Sequence, residues 1–443
     1  MIEASESTVA TPATSETRAI YCGDNGEVLR RHVPDNSIDL IYADPPFFSN
    51  QHYQVLWEDG YELRAFGDRW QGGIQKYITW MEPKLRECHR VIKPTGAMYL
   101  HCDWHAVHYL KLEMDRIFGE SNFRNEISVK RIRKNVNEYK TVKRLNVAFD
   151  SILFYGKTEL HRITPPLREK HRPARWHAFD ANGLRTGMDY DLFGHKPPTG
   201  GHWRWTKERA QEAIEEKRLR ANPLTGRPEY LIPESTHELL TSVWDDIPAY
   251  SFKMGYPTEK SEELLKRIIQ MSTSDMNMVL DPFCGCGTAL VAAQRLGRKW
   301  IGVDISPTAC RLVQSRLRNE FHIDTKIIGM PKTVEDLKAI QSFEFLNWVF
   351  EKLHGRVNPK LVGDPGIDGF VELNVPVQVN RIERVGRQAV DIFATALRKA
   401  SEKRGLMVAF SFSKEAREEA SRVELSSGLE IRLMTVEEII GAS

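Results

Sequence analysis

The chain has 443 residues, of which 41% are hydrophobic and 28% charged, and its formal net charge at pH 7 is +2. This length allows two or three domains, and the balance excludes a disordered chain. No window supplies the ~20 apolar residues of a membrane span, and the polar start of the chain lacks the apolar segment of a secretory signal. We therefore expect a flexible tail over 1–17, a cytoplasmic protein and no membrane partner.

The number and spacing of the cysteines argue against a disulfide-bonded or zinc-bound fold. Six cysteines in a chain of this length are too few and too scattered for a disulfide framework. Cys284 and Cys286 are separated by a single residue, one fewer than in a zinc knuckle, and no second Cys/His pair lies near them in the sequence. The sequence therefore predicts reduced thiols and no zinc site.

Residues 18–156 alternate strand and helix patterns. The predicted strands are AIYCGD, IDLIYADPP, AMYLHCD and FDSILFYGK. The predicted helices are NGEVLRRH, YITWMEPKLRECHRVI, which KPTG ends, and HAVHYLKLEMDRIFG, which Gly119 ends. This alternation predicts an α/β fold with a parallel, doubly wound sheet.

The next two regions differ in regularity. Residues 157–250 are rich in Pro, Gly, Arg, His and Trp and show poor periodicity, so we expect a loop-like functional insert. Regular patterns resume over 251–325. TEKSEELLKRIIQMS is a predicted helix with Thr258 as its N-cap, and MVLDPFCGCGTALVAAQRLGRKWIGVDIS reads as strand, glycine turn, helix and strand.

The stretch VLDPFCGCGTAL has the composition of a cofactor turn. A predicted strand reaches Asp281, Gly285 and Gly287 permit a tight turn and close approach of a ligand, and Thr288 begins a helix with a partly positive N-terminus. Asp304, at the end of the next strand, can accept hydrogen bonds from both ribose hydroxyls of a nucleoside cofactor. The pattern is neither a dinucleotide fingerprint nor a P-loop, and an ordinary strand–helix turn is the alternative.

The stretch IYADPPFF forms a second candidate site. Asp44 follows a strand-like run, where α/β sheets bind ligands, and Pro45 and Pro46 make a stiff turn that presents carbonyls. Phe47 or Phe48 offers a flat surface for a planar ring. These acceptors beside an aromatic suit an exocyclic amine on a heterocycle, although a structural diproline turn is the alternative.

DPPF followed far downstream by DPFCGCGT resembles the amino-methylating DNA methyltransferases, which act on adenine N6 or cytosine N4 with S-adenosylmethionine. The motif order resembles their β-type circular permutation, and the likeness covers roughly residues 18–320. It implies a Rossmann-like sheet in a bacterial, archaeal or phage enzyme, with the catalytic half over 18–156 and the cofactor half over 251–325. The implied catalytic residues are Asp44, Pro45, Pro46 and Phe47. The implied cofactor-binding residues are Asp24, Asp281, Pro282, Phe283, Gly285, Gly287, Thr288, Asp304, Pro257, Thr258 and Lys260.

The resemblance also implies a mechanism. Asp44 and the Pro45 carbonyl hold the amine of a flipped base, Phe47 stacks on it, and no metal takes part in the methyl transfer. Within the family, Asp in the first motif position favours adenine N6, and cytosine N4 is the alternative. A non-catalytic DNA-binding module and an RNA substrate are further alternatives.

Basic segments indicate where DNA binds. Residues 121–145 hold eight Lys/Arg and two Glu, and the insert over 157–250 mixes cations with aromatics. A solvated charged face and ordinary packing are the alternatives. The candidate DNA contacts are Lys130, Arg131, Arg133, Lys134, Arg175, Trp203 and Arg204. Expected partners are double-stranded DNA, a second copy in a homodimer and a restriction-system partner.

Residues 331–443 resemble the Mrr-like restriction domains of the PD-(D/E)xK nuclease superfamily, an α/β restriction-endonuclease-like fold. Asp368 fits the metal-binding acid, Gln378 the second position and Glu344 an added helix carboxylate. The lysine position holds Asn380, which supplies no cation, so we expect a degenerate site with weak or no cleavage and Mg²⁺ only if it is active. A bifunctional enzyme with Mg-dependent cleavage and a small DNA-binding or partner module are the alternatives.

Overall fold

A computed structural model describes residues 17–48, 52–56, 62–67, 73–131, 145, 147–251, 259–340, 342–358 and 366–441. Four predicted site residues lie outside these ranges: Arg133, Lys134, Pro257 and Thr258. Within them, no helix is both long and apolar enough to cross a membrane. The chain divides into two compact units, one of residues 165–241 and one of the remainder.

The strands are β1 Ala19–Cys22, β2 Ile38–Ala43, β3 His52–Leu56, β4 Glu62–Gly67, β5 Ile92–Cys102, β6 Phe123–Lys130, β7 Phe149–Gly156, β8 Leu167–Arg172, β9 Arg175–Ala178, β10 Asp180–Asn182, β11 Gly201–Trp203, β12 Leu219–Ala221, β13 Pro228–Ile232, β14 Ser235–Leu239, β15 Val243–Trp244, β16 Met278–Asp281, β17 Lys299–Asp304, β18 Ile327–Ile328, β19 Arg356–Val357, β20 Gly369–Val371, β21 Val375–Asn380, β22 Arg404–Ala409 and β23 Glu430–Thr435. The α-helices are α1 Asn25–His32, α2 Gly73–Val91, α3 Val107–Phe118, α4 Lys207–Glu215, α5 Glu262–Ser272, α6 Thr288–Arg295, α7 Pro307–Phe321, α8 Val334–Ala339, α9 Ser342–Lys352, α10 Arg387–Lys399, α11 Lys414–Ser427 and α12 Val436–Gly441.

A nine-stranded sheet forms the centre of the larger unit, in the order β15-β6-β7-β5-β2-β16-β17-β1-β18. Strands β5, β2, β16, β17, β1 and β18 run parallel, so their carboxyl ends meet at one edge. The prediction of a parallel sheet is confirmed in part, because β7 lies between β5 and β6 and is antiparallel to both. The sheet is therefore mixed, and an antiparallel neighbour needs no crossover helix.

Helices cover both faces of this sheet. Along β1, Ile20 packs in one core cluster and Tyr21 in the other, and Leu40 and Ile41 of β2 divide in the same way. One cluster includes side chains of α5, α6 and α7, and the other includes those of α1, α2 and α3. The strands are hydrophobic on both faces because both faces are buried, which is why they read as continuous apolar runs.

Two local predictions need correction. Strand β5 begins at Ile92 and runs through KPTG, which was expected to separate helix from strand. Helix α5 begins at Glu262 with Ser261 as its N-cap, three residues after the predicted cap. The acidic Glu262 and Glu263 stand in its first turn, where they complement the helix dipole.

The compact unit of residues 165–241 is not the loop-like region that its composition predicts. It contains the pair β8–β14, the pair β10–β11, the three strands β12-β13-β9 and helix α4. Phe179, Trp203 and Leu219 are buried in its small core. Strands of three to six residues with largely exposed faces leave no periodic signal in the sequence.

The C-terminal region forms a second sheet within the larger unit, in the order β19-β20-β21-β22-β23. The pairs β19–β20 and β20–β21 are antiparallel, and the pairs β21–β22 and β22–β23 are parallel. Helices α10 and α11 contribute to one core cluster, whereas α9 and α12 contribute to another.

Candidate active site

A cavity of about 810 Å³ lies at the carboxyl edge of the central sheet. Its wall collects chain segments that follow β1, β2, β16 and β17, as expected for ligand sites in parallel sheets. The predicted residues that line it are Asp24, Asp44, Pro45, Pro46, Phe47, Lys260, Asp281, Pro282, Phe283, Gly285, Thr288 and Asp304. The structure therefore brings together the DPPF and DPFCGCGT segments, which are about 240 residues apart in the sequence.

Asp44 forms an ion pair inside this cavity. Its Oδ2 lies 2.7 Å from Lys260 Nζ, and both side chains are largely buried. The lysine ammonium also lies 4.8 Å from the Phe47 ring centroid and 4.6 Å from that of Tyr250. The other carboxylate oxygen, Oδ1, is buried and accepts no hydrogen bond from the described residues. Lys260, predicted to bind the cofactor, thus contacts the Asp44 carboxylate directly.

A buried polar chain supports the DPPF turn from behind. Tyr42 Oη is 2.7 Å from His101 Nδ1, His101 Nε2 is 3.4 Å from Asp150 Oδ2, and Arg131 Nη1 is 3.1 Å from Asp150 Oδ1. Phe47 packs on His101 with ring centroids 5.7 Å apart. Although burial raises the pKa of Asp150, His101 and Arg131 outweigh it and hold that pKa below its usual value. Arg131, predicted to contact DNA, is part of this support, and its side chain is 31% exposed.

The glycine turn is fixed by the two acids that flank it. Asp281 Oδ1 accepts a hydrogen bond from the Phe283 amide, and Asp304 Oδ2 accepts one from the Gly285 amide at 2.8 Å. Burial raises the pKa of both carboxyls, that of Asp281 the more because Asp44 and Asp304 lie nearby. These acids therefore shape the turn as well as line the cavity.

Two features hold the first turn of α6. Gly287 adopts φ 79°, and a Cβ there would come within 2.8 Å of the Val313 side chain, so only glycine fits. Arg316 is buried beneath the turn and donates to the Cys286 carbonyl at 2.8 Å. The sequence analysis missed Arg316, because its position on a charged helix resembles that of a surface residue.

The far end of the cavity carries a second lysine–aspartate pair. Lys84 Nζ is 2.8 Å from Asp24 Oδ2, and it lies 4.7 Å from the centroid of Trp80. Burial raises the pKa of Asp24, but Lys84 and backbone amides outweigh it, so that pKa lies below its usual value. Trp80 packs near Phe283 with ring centroids 6.1 Å apart. The pair and the two rings form an acidic, aromatic end that suits an adenine and its amine.

Glu344 is not where the sequence analysis expected it. It is 3% exposed and lines the same cavity, and its Oε2 accepts a hydrogen bond from Thr308. Burial raises its pKa to about 7. The structure therefore associates Glu344 with the segment that follows Asp304, on α7, instead of with Asp368.

The C-terminal candidates form only a partial site. Asp368 Oδ2 accepts a hydrogen bond from the Val379 amide, and burial raises its pKa. Gln378 Oε1 and Asn380 Nδ2 are buried without a hydrogen-bond partner in the part of the chain that the structure describes. Arg381 donates to the Lys338 carbonyl, on the other side of the strand. No group of three or more His, Cys, Asp or Glu that could hold a metal occurs among the described residues.

The remaining DNA candidates divide by exposure. Lys130 ends β6 and is exposed, and Arg175 and Arg204 are exposed within the unit of residues 165–241. Trp203 is 3% exposed and donates its Nε1–H to the Tyr190 carbonyl. We therefore assign Trp203 to the core of that unit, as a correction of its predicted role at the DNA.

The cavity fits S-adenosylmethionine chemically. It offers carboxylates for amine and hydroxyl donors, rings for a purine, and a helix that starts at a glycine turn. Asn25 adds a buried amide whose Nδ2 donates to the Pro282 carbonyl and whose Oδ1 has no partner among the described residues. Such a site can hold an adenosyl group at one end and an amine acceptor at Asp44.

Comparison with known proteins identifies the same chemistry. Residues 38–315 match the N6_N4_Mtase family, described as DNA methylase. Over 323 residues the chain is 28% identical to the type II methyltransferase M.EcaI of Enterobacter cloacae, which covers 66% of this chain and 68% of that protein. It is 25% identical to the DNA adenine methyltransferase YhdJ of Escherichia coli (strain K12), over 72% of this chain and 88% of that protein.

A solved structure from Thermus thermophilus, described as a candidate DNA modification methylase complexed with S-adenosyl-L-methionine, aligns with a TM-score of 0.40 and 18% identity. The alignment covers 71% of this chain and all of that one, but its TM-score is too low for the structural similarity to carry an argument. The family match, in contrast, covers more than half of the 443 residues. The chain therefore belongs to the N6/N4 family of S-adenosylmethionine-dependent, site-specific DNA methyltransferases.

Proposed function

We propose that this DNA methyltransferase acts on adenine N6 and that Asp44 is the residue that holds the target amine. The observation that carries the proposal is the state of the Asp44 carboxylate. Lys260 occupies Oδ2, whereas Oδ1 is buried, lines the cavity and receives no hydrogen bond from the described residues. A buried acceptor without a donor is costly, and an N–H of the target base would satisfy it.

The chain's residues then have defined tasks. Asp44 Oδ1 and the Pro45 carbonyl accept the two N–H groups of the flipped base, which turns the nitrogen lone pair out of the ring plane. Phe47 contacts the base, and its packing on His101 fixes the ring. S-adenosylmethionine supplies a methyl group on a sulfonium. The nitrogen–carbon bond forms as the carbon–sulfur bond breaks, and the surplus N–H proton leaves through Asp44 Oδ1 to water.

The donor is bound by the other half of the cavity. Asp24 accepts from the adenine amine of the donor, and Phe283 packs on its ring. Asp304 accepts from the ribose, since each of its carboxylate oxygens already bound to a backbone amide retains a second lone pair. The turn of Pro282, Gly285, Gly287 and Thr288, with Asp281 beneath it, lets the donor approach the start of α6, whose helix N-terminus is partly positive.

Adenine is favoured over cytosine by two considerations. The motif begins with Asp44 instead of Ser, and one relative that covers most of this chain is a DNA adenine methyltransferase. Adenine N6 and cytosine N4 present the same amine to Asp44, so cytosine N4 is the second candidate. The β-type permuted order is supported by β2 and β16, which are adjacent and parallel although the catalytic motif comes first in the chain.

The surroundings complete the proposal. The unit of residues 165–241, through Arg175 and Arg204, together with Lys130, contacts double-stranded DNA, and Arg133 and Lys134 extend that basic run. The enzyme works in the cytoplasm, as a homodimer, within a restriction–modification system. Its relative M.EcaI, a type II methyltransferase, supports that setting. The C-terminal sheet is a nuclease-like module with a degenerate site, and bifunctional Mg-dependent cleavage is its alternative.

The test is transfer of tritiated methyl groups from S-adenosylmethionine to unmethylated plasmid DNA, followed by digestion to nucleosides. We expect the label in N6-methyladenine. Label in N4-methylcytosine would overturn the base assignment, and label in DNA that Asp44→Ala does not reduce would overturn the role of Asp44. Asp368→Ala is the matched control, a half-buried carboxylate directly before strand β20 and outside the cavity, and it should leave the transfer unchanged.

A further inference from the structure

The cavity wall includes an acid from outside the region that matches the methyltransferase family. That match ends at residue 315, and Glu344 stands in α9, the helix that opens the C-terminal core. Its Oε1 is buried and receives no hydrogen bond from the described residues, and its residue is 3% exposed. An unpartnered carboxylate oxygen in a cavity wall needs a donor, and a ligand in the cavity would supply it.

The neighbours of Glu344 indicate which donor would reach it. Thr308 donates to Oε2 at 3.2 Å, and Asn347 Nδ2 approaches Thr308 Oγ1 at 3.4 Å, so Oε2 is held in place. Ser306, just after β17, also hydrogen-bonds the carboxyl group and lowers its pKa, whereas the negative charge of Asp304, at the end of β17, raises it. The end of this strand is where the proposed function puts the donor's ribose. The adenine end of the cavity, at Asp24 and Lys84, has its own pair.

Asp304 divides its acceptor capacity between the turn and the ribose. Each of its two oxygens already accepts one hydrogen bond, from the Gly285 or the Ser306 amide, and retains one lone pair. A second carboxylate beside it, with one oxygen free of such bonds, would add an acceptor for the second hydroxyl of a ribose diol. Neither the family motifs nor the sequence spacing of the methyltransferase region identifies such a residue.

We propose that Glu344 binds the methyl donor by accepting hydrogen bonds from its ribose hydroxyls, so that the C-terminal region completes the donor site. This inference rests on the donor half of the proposed function. It has a thermodynamic consequence: if donor binding uses Glu344, the donor stabilises the packing of α9 on α7 by the same factor by which that packing improves donor binding. The C-terminal region is then a sensor of donor occupancy as well as an appended module.

The test is the affinity of S-adenosylhomocysteine, measured by isothermal titration calorimetry on the full chain. Glu344→Gln should weaken binding about 10-fold, since a charge-assisted hydrogen bond is replaced by a neutral one. The matched control is Glu351→Gln, on the same helix, which removes a carboxylate that pairs with Arg311 of α7 and does not line the cavity. It should change the affinity less than about 2-fold. Equal losses in both variants would mean that Glu344 acts only by docking α9.

Deoxyribose analogues of S-adenosylhomocysteine sharpen the test. The 2′-deoxy or the 3′-deoxy analogue should bind the wild type about 10-fold more weakly than the parent compound, and it should bind Glu344→Gln with no further loss. Fully additive losses for both analogues would overturn the inference while leaving the proposed function intact. Failure of the wild type to bind S-adenosylhomocysteine at all would instead contradict the donor site itself.

Hydrogen exchange gives a readout independent of calorimetry. Saturating S-adenosylhomocysteine should slow amide exchange in α9 of the wild type by about 3-fold or more, and it should slow it less in Glu344→Gln at equal occupancy. Unchanged α9 exchange in the wild type on ligand binding would contradict the linkage.

Discussion

Asp44 directly follows strand β2, and Asp368 directly precedes strand β20, the first strand of a hairpin. Both are carboxylates, but the groups that surround them differ. Asp44 is paired through one oxygen with the buried Lys260, and its other oxygen is buried and accepts no hydrogen bond from the described residues. Asp368 accepts a hydrogen bond from the Val379 amide, and Asn380 occupies the strand position that could carry a cation. A carboxylate in the right motif is therefore only a candidate, and a cation that the fold brings beside it is what distinguishes Asp44 from Asp368.

Apart from replacing Asp44 itself, the largest effect is expected from removing the cation that pairs with it, Lys260. Lys260→Met should lower the rate of methyl transfer about 10²-fold at saturating donor, because Asp44 loses the group that fixes its orientation. The matched control is Lys84→Met, which removes the cation of the Asp24 pair and should weaken S-adenosylhomocysteine binding about 10-fold with little change in the saturated rate. Single-turnover kinetics and calorimetry separate the two. If Lys260→Met instead lost donor affinity and Lys84→Met lost the saturated rate, Lys260 would belong to the donor-binding half of the cavity.

Trp203 and Arg204 are adjacent in the unit of residues 165–241, and their different surroundings predict different roles. Trp203→Ala should destabilise the unit of residues 165–241 by about 3 kcal/mol, because the side chain is 3% exposed and packs near Phe179 with centroids 5.8 Å apart. Arg204→Ala should leave stability unchanged and weaken DNA binding several-fold in a salt-dependent manner. Limited proteolysis and filter binding measure these effects. A stable Trp203→Ala with lost DNA binding would restore the original prediction for Trp203.

A smaller effect is expected for the stability of Glu344→Gln. The pKa of Glu344 is raised from 4.5 to about 7, so the folded state holds this proton more tightly than the unfolded state. The resulting stability is fully present below pH 4.5 and is lost as the pH rises through 7. Asp304 and Arg311 face the Glu344 carboxyl group, and Asp336 lines the same cavity. All three residues are present in both the wild type and Glu344→Gln, so they do not cause the difference between them.

Glu344→Gln cannot ionise, and without ligand it should therefore be more stable than the wild type at pH 8 by about 1–2 kcal/mol, with the difference shrinking below about pH 5. Thermal melts across this pH range measure it. A variant that is less stable than the wild type at the alkaline end of the range would indicate a purely structural carboxylate.

The smallest expected effect tests the second region. The wild type should leave unmethylated plasmid uncut in Mg²⁺, because no cation stands beside Asp368 among the candidate positions and Gln378 is neutral. Asn380→Lys places a lysine on the same strand face as Gln378, and combined with Gln378→Glu it should permit at most slow nicking. Agarose gels of plasmid topology report both results. Efficient cleavage by the wild type would remove the difference between the two regions and favour the bifunctional alternative.

Much of the site could be predicted because parallel strands bring their carboxyl ends to one edge. Asp44 and the glycine turn are distant in the chain, yet each carries a motif that specifies its position at that edge. Lys260, Glu344 and Arg316 could not be placed in this way. Their roles depend on contacts between elements without a local pattern, such as α9 against α7.

Element boundaries show the same division. The Rossmann-like helices and strands follow strong periodic patterns and match the structure closely, as with α1 over Asn25–His32. The antiparallel insertion of β7 and the short strands of residues 165–241 depend on pairing partners. Strand pairing is a tertiary property, and the sequence around β7 carries no signal that it would pair antiparallel with both of its neighbours.

The measurement that tests the central claim most directly is the single-turnover methyl-transfer rate of Asp44→Asn at saturating S-adenosylmethionine, together with its affinity for S-adenosylhomocysteine. The account predicts a rate at least ~10³-fold below that of the wild type and an affinity within about 3-fold of it, because the amide cannot accept from the target amine as a carboxylate does. A rate within about 10-fold of the wild type, or an equal loss in rate and donor affinity, would contradict the assignment of Asp44 as the amine-holding half of a divided site.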